Sequence, residues 1–140
     1  MILVKLGGSV ITDKSQYRRF DRETAGRLAS EIAAAGERMV LVHGAGSFGH
    51  ILAKEHRLHL GITEDAQLRG AAEVMADVRE LDLEMCRCLV HEGLPVVPLP
   101  PAACVVMRDG ALERLELAAF QRYLDLGMVP MSYGDVAWDE

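Results

Sequence analysis

What most constrains this chain is an alternation of short apolar runs, each stopping at a glycine turn, with longer amphipathic stretches. Ile2 to Leu6 is the first run and ends in Gly7-Gly8. Met39 to Val42 is the second and ends in His43-Gly44-Ala45-Gly46. Apolar runs of this length, bounded by turn residues, suit buried strands, and the stretches between them carry apolar residues at helical spacing. Strand, helix, strand, helix, strand is the pattern of a mainly parallel sheet covered on both faces. The predicted class is therefore α/β, a mainly parallel sheet sandwiched by helices, with a small β-hairpin.

Local signals place the elements. Asp21 offers a carboxylate to the backbone donors of a first helical turn, and Phe20 can staple onto that turn. Ala25, Leu28, Ala29 and Ile32 then form an apolar stripe that Gly36 ends. A second helix is predicted over about residues 49–56. A longer one begins at a Thr63 cap, runs to about residue 91 and stops at Gly93. Residues 95–99 read as a strand and 104–115 as a hairpin turning at Arg108-Asp109-Gly110. Residues 117–126 read as a short helix ended by Gly127, and 128–132 as a further strand. There is no repeat, linker or low-complexity tract, so residues 1–140 form one domain.

Composition narrows the function classes. With 50% hydrophobic and 26% charged residues, 140 residues can bury one core without disulfides or a metal. The formal net charge of -6 argues against nucleic acid as partner. A small anion remains compatible, because backbone amides and a few cations bind it against the global sign. Lys5 and the glycines interrupt the apolar opening, which reads as neither a signal peptide nor a membrane span. Cys86, Cys88 and Cys104 are odd in number and wrongly spaced for zinc, and read as reduced thiols of a cytoplasmic protein. His56 and His59 lack a third ligand and read as a solvated pair, so no metal site is expected.

Ligands of open α/β sheets bind beyond the carboxyl ends of the strands, which selects the loops after Leu6, Val42 and Ser132. In the second loop, Gly44, Gly46 and Gly49 satisfy the GxGxxG dinucleotide fingerprint, with Glu64 or Asp65 at a tolerable distance for a ribose contact. The loop lies in the second strand-helix unit, however, where that fingerprint is unusual. A P-loop fails because His50 and Ile51 stand where lysine and Ser/Thr are needed. A third reading is a phosphate-acceptor loop in which His50 adds a donor; the plain structural reading is a tight turn with His50 exposed. Ser47 has no Ser-His-Asp arrangement around it and reads as part of the loop.

In the first loop, Lys5-Leu6-Gly7-Gly8-Ser9 with Lys14 suits the β- and γ-phosphates of a donor. Lys5 is expected near the end of a buried strand, where its charge needs a counter-charge. Two glycine loops at neighbouring strand ends, each with a cation, suggest two phosphates held face to face, the arrangement of phosphoryl transfer. The last loop, beginning Tyr133-Gly134-Asp135, stops soon after its strand, and further chain is expected beyond Glu140.

KLGGSVITDK, LVHGAGSFGH and SYGDV together resemble the isopentenyl phosphate kinase family of the amino acid kinase superfamily, over the whole chain. The resemblance implies the N-terminal, acceptor-binding half of such a kinase, with the nucleotide-binding part outside the chain. It implies ATP-dependent phosphorylation of isopentenyl phosphate to isopentenyl diphosphate in isoprenoid biosynthesis, with ATP and Mg²⁺ as cofactors, in a cytoplasmic homodimer. By that resemblance Lys5, Leu6, Gly7, Gly8, Ser9 and Gly46 would bind ATP phosphates, and Lys14 would stabilise the transition state together with Lys5 and His50. Ala45, Gly46, Gly49 and His50 would hold the acceptor phosphate, and Gly134 and Asp135 would border it or position Lys14. Ala71, Ala72, Val74 and Met75 read either as a pocket wall for the isoprenoid tail or as ordinary core, with residues 61–63 as a mobile edge of that pocket. Another phosphate- or phosphonate-accepting kinase, a non-catalytic phosphate-binding fragment and, third, a dinucleotide oxidoreductase stay open.

Overall fold

The computed structural model describes residues 1–140, the side chain of Trp138 excepted. The first half of the chain runs through β1 (Ile2–Leu6), a one-turn α1 (Gly8–Ile11), α2 (Arg22–Ala35), β2 (Met39–His43), α3 (Gly46–Glu55) and α4 (Asp65–His91). There follow β3 (Val96–Pro98), β4 (Val105–Arg108), β5 (Ala111–Leu115), α5 (Ala118–Asp125), β6 (Val129–Tyr133) and β7 (Trp138–Asp139). No described helix is long and apolar enough to cross a membrane.

The main sheet has the order β1-β2-β6-β3 and is parallel throughout. The three strands whose loops the sequence selects are therefore consecutive neighbours. A second small sheet joins the β4–β5 hairpin to β7. The hairpin turn has Asp109 at φ 50 and Gly110 at φ 75, positive at both central residues, the geometry whose twist matches paired strands. The pairing of β7 with β4 is not legible in a segment that reads as loop.

The helix signals hold where they are local. Asp21 Oδ1 accepts from the Thr24 N–H at 3.0 Å, and Gly36 closes α2 in the left-handed conformation at φ 63. The α4 cap lies one residue later than Thr63. Gln67 Oε1 accepts from the Glu64 N–H at 3.1 Å, and from the N–H and hydroxyl of Thr63, forming a capping box with Glu64 at the N-cap. α3 starts at Gly46 rather than Gly49, for a reason that lies 35 residues away: the buried Thr12 Oγ1 accepts from the Ser47 N–H at 3.0 Å.

The two faces of the sheet differ. On one, Met39, Leu41, Val129 and Met131 bury against Ala29, Ile32, Phe48, Val78, Leu81, Met85 and Leu89 of α2, α3 and α4. All of these positions but Phe48, which falls before the predicted start of α3, lie in predicted strands or helices. On the other, α5 lies beside the sheet with Leu115 of β5 near it, and Leu3 is 70% exposed. Coverage on both faces is thus unequal, and Lys5, paired with Val42 on the open side, is exposed rather than buried. Its charge needs no counter-ion, because water solvates it.

Candidate functional site

The parallel ladder sets the site. Leu6, His43 and Tyr133 are in register across β1, β2 and β6, and the ladder runs on into the loops. The Gly44 N–H donates to Leu6 O and the Gly134 N–H donates to His43 O, both at 2.9 Å. Gly7, Gly44 and Gly134 therefore leave the sheet side by side.

The glycines of the first two loops face each other. A Cβ on Gly8 would lie 2.4 Å from Gly46 N, and one on Gly44 would lie 2.7 Å from Gly8 N. Gly46, at φ 52, has Gly8 O 2.8 Å from where its Cβ would stand. Only glycine allows this approach of backbone to backbone. Sequence reasoning assigns these glycines to a ligand; the structure shows that they first let the two loops touch. Thr12, which that reasoning missed, joins them: its hydroxyl donates to Gly8 O at 2.6 Å and accepts from the Ser47 N–H. Its signal in the sequence, a threonine four residues after a glycine, is too common to single out.

Among the described residues the N–H groups of Ala45 and Gly46 have no hydrogen-bond acceptor, as the first donors of a helix lack intrahelical partners. Beside them opens a cleft of about 470 Å³. Its lining includes the polar or backbone-donating residues Lys5, Gly44, Ala45, His50, Gly134 and Asp135 and the apolar residues Ala53, Val74, Val78 and Val136. Val74 is where the pocket reading of α4 places it. Ala71, Ala72 and Met75 do not line the cleft: Ala71 faces the core, Ala72 faces solvent, and Val78, one helical turn beyond Val74, takes the expected place. Residues 61–63 are exposed and away from it.

A second recess of about 440 Å³ is lined by Lys14, Gly46, Ser47, His50, Ile51 and Lys54. His50 lines both spaces, whereas Lys5 and Lys14 lie in different ones. Lys54, one turn after His50 on α3, is a cation that the motif reading did not include. Leu6 is buried, Ser9 is exposed, and Gly7 and Gly8 line neither recess.

The segment carrying Lys14 is strapped to α4. The Tyr17 hydroxyl donates to Asp77, Arg18 pairs with Asp77 and Glu80, and Arg22 pairs with Glu84 at 2.7 Å. Asp13 accepts from the Ser15 hydroxyl and N–H, which holds its carboxyl below the usual value. At the cleft, burial pushes the Asp135 carboxyl up, and its Oδ2 is buried without a partner. Burial, with the charges of Asp135 and Asp82, pushes Tyr133 up to about 12, so its hydroxyl stays neutral.

The family model for the amino acid kinase family matches residues 1–140. The isopentenyl phosphate kinase of Methanothermobacter thermautotrophicus is 41% identical over 145 residues, covering 99% of this chain and 54% of that protein. That of Thermoplasma acidophilum is 36% identical over 136 residues, covering 97% and 53%. A solved isopentenyl phosphate kinase structure superposes with a TM-score of 0.93 at 40% identity, covering 100% of this chain and 59% of that one. The chain spans about half the length of the curated relatives it matches.

Proposed function

The chain belongs to the amino acid kinase family, and from that premise we propose that it serves ATP-dependent phosphorylation of isopentenyl phosphate to isopentenyl diphosphate. The observation that carries the reading is His50, lining two recesses that each include a lysine, with unpaired backbone donors beside it and apolar side chains in the same cleft. A phosphate on a short hydrocarbon tail matches the mixed polar and apolar lining of the cleft. The relatives named isopentenyl phosphate kinase support the same acceptor.

The chemistry follows from charge. An oxygen of the acceptor phosphate, ionised at neutral pH, attacks the γ-phosphorus of ATP. A new P–O bond forms, the bond to the β,γ-bridging oxygen breaks, and ADP leaves. No proton has to be removed, so no general base is needed. What the residues contribute is position and positive charge. Ala45 and Gly46 offer backbone donors to phosphate oxygens, His50 binds the acceptor phosphate, Lys5 binds phosphates of ATP, and Lys14 neutralises charge that builds up on the moving group. Mg²⁺, brought by ATP, offsets the charge on the nucleotide. Asp135 excludes a second anion from its side of the cleft.

The reading extends to a reducing compartment, the cytoplasm, which the three free cysteines support, and to a homodimer, which sedimentation tests. Calorimetry of the chain with isopentenyl phosphate, and with Mg·ATP, paired with a turnover assay, tests the function. Binding of the acceptor at micromolar concentration is expected. Acceptor binding with no turnover would make this chain an acceptor seat without transfer activity. A preference for a short phosphonate would move the substrate, and absence of acceptor binding would sink the reading.

A further inference from the structure

We propose that His43 and Asp82 hold a buried proton between them that fixes the Gly44–Ala45 peptide for phosphate, making His43 a positioning residue; this rests on the reading of the cleft as a phosphate seat. The His43 side chain is fully buried, and Asp82 on α4 is 4% exposed. His43 Nε2 lies 3.2 Å from Asp82 Oδ1, and Nδ1 lies 3.0 Å from the carbonyl oxygen of Gly44. Tyr133 stacks on the ring at 5.4 Å and 17°.

Both ring nitrogens thus face oxygens. A carbonyl only accepts, and a carboxylate only accepts unless it is protonated. A neutral imidazole carries one N–H and cannot donate to both. The arrangement closes in two ways, an imidazolium beside a carboxylate or an Nδ1–H imidazole accepting from a protonated Asp82. Either way Nδ1 keeps its proton and donates to Gly44 O. A neutral ring beside an ionised Asp82 leaves one repulsive contact, a bare Nε2 against the carboxylate in one tautomer or a bare Nδ1 against the carbonyl oxygen in the other.

The consequence passes through the peptide plane. In a trans peptide the C=O and the following N–H point in opposite directions. Holding Gly44 O against the ring therefore turns the Ala45 N–H away from it. That nitrogen would lie 3.1 Å from a Cβ on Gly134, across the mouth of the cleft, and it has no acceptor among the described residues. His43 lines the cleft only through its backbone, its side chain being fully buried; the ring aims the donor that touches the ligand.

The other groups around the pair leave the proton where it is. The Tyr133 hydroxyl and the Cys86 thiol, each pushed up to about 12 first by burial, stay protonated. Arg79 and Asp135, of opposite charge, both act on Tyr133, and Asp77 is occupied by Tyr17 and Arg18.

Histidine ¹⁵N labelling of the wild-type chain, read between pH 6 and 8, tests the proton directly. A protonated Nδ1 is expected throughout, and a bare Nδ1 would overturn the proposal. Calorimetry with inorganic phosphate and with isopentenyl phosphate then tests the consequence. Asp82→Leu and His43→Phe, the latter keeping the stack on Tyr133, should each weaken both anions about tenfold. Asp82→Asn should recover most of that loss, because its amide donates to Nε2 and keeps the proton on Nδ1. Unchanged affinity in folded His43→Phe, or no recovery in Asp82→Asn, would refute the positioning role. Wild type that binds inorganic phosphate but not isopentenyl phosphate supports this proposal and moves only the substrate. Wild type that binds neither anion overturns the phosphate seat and this proposal with it.

Discussion

The two glycine loops are alike in sequence and unlike in setting. The second grows from a buried stem: His43, Ser47 and Phe48 are each at most 3% exposed, and α3 packs on α4 directly behind it. The first turns through one short helix into an exposed segment that carries Lys14 and is held by ion pairs on the surface of α4. The pairs to Glu80 and Glu84 are exposed and contribute little each, while the buried Asp77 takes the Tyr17 hydroxyl and Arg18, so this arm is tethered at a few points rather than packed along its length. One loop is built as a seat and the other as an arm, and the glycines where they meet serve both.

The substitution that should break this contrast most completely is Gly8→Ala. Its Cβ would meet the backbone of Gly46 at 2.4 Å, and backbone cannot give way as a flexible side chain can. A loss of about 3 kcal/mol or more in denaturant unfolding is expected, with acceptor binding lost as well. Gly26→Ala, with nothing within 4 Å, is the control and should stabilise α2 by about 0.5–1 kcal/mol. A tolerated Gly8→Ala would mean that the loops do not need their contact.

Seat and arm should separate kinetically. On the proposed reading, Lys14→Ala should lower kcat about a hundredfold with little change in Tm or acceptor affinity, because its charge would matter when the phosphoryl group moves. His50→Ala should weaken acceptor binding about tenfold as well as slowing turnover. The same change in kcat and in Kd for both variants would erase the distinction.

Thr12→Val probes the tie between the loops. It leaves the buried Ser47 N–H unpaired and should cost about 2 kcal/mol in thermal or chemical unfolding. Loss of stability without loss of acceptor affinity would show that the seat stands without its tie to the arm.

The smallest effect is expected at Asp135, and its sign is opposite. Burial raises its folded-state pKa, so the folded chain keeps a proton that the unfolded chain releases at lower pH. This contribution to stability is complete below the ordinary carboxylate value and is lost as pH rises through the raised one. At neutral pH the ionised group, with its unpartnered Oδ2, opposes folding. Asp135→Asn should therefore stabilise the chain at pH 7 by on the order of 1 kcal/mol, flatten the acidic part of its Tm–pH curve and impair acceptor binding. A lower Tm at pH 7 would contradict the assignment.

Much of this could be read from the sequence because strands and helices announce themselves locally. Asp21, Gly36 and the stripe from Ala25 to Ile32 each act within a turn or two of their own position, and the glycines marked the three strand ends that the sheet order brings together. What could not be read depends on partners far along the chain. The early start of α3 needs Thr12, the solvation of Lys5 depends on which face of the sheet is covered, and the cleft wall took Val78 and Val136 in place of Ala71 and Met75. A helical stripe says which residues turn inward together; it does not say which of them meet the core and which meet a cavity.

The ladder bonds that continue past the strands, Gly44 to Leu6 and Gly134 to His43, act as a ruler. Neighbouring strands stand about 4.8 Å apart whatever side chains they carry. The spacing between the two glycine loops is thus inherited from the backbone and is insensitive to drift in the surrounding sequence. On the proposed reading of these loops as donor and acceptor seats, Ala53, Val74, Val78 and Val136 can change to admit a longer or shorter tail without resetting the distance over which the phosphoryl group moves. In such a scaffold substrate choice can diversify while the geometry of transfer stays constant.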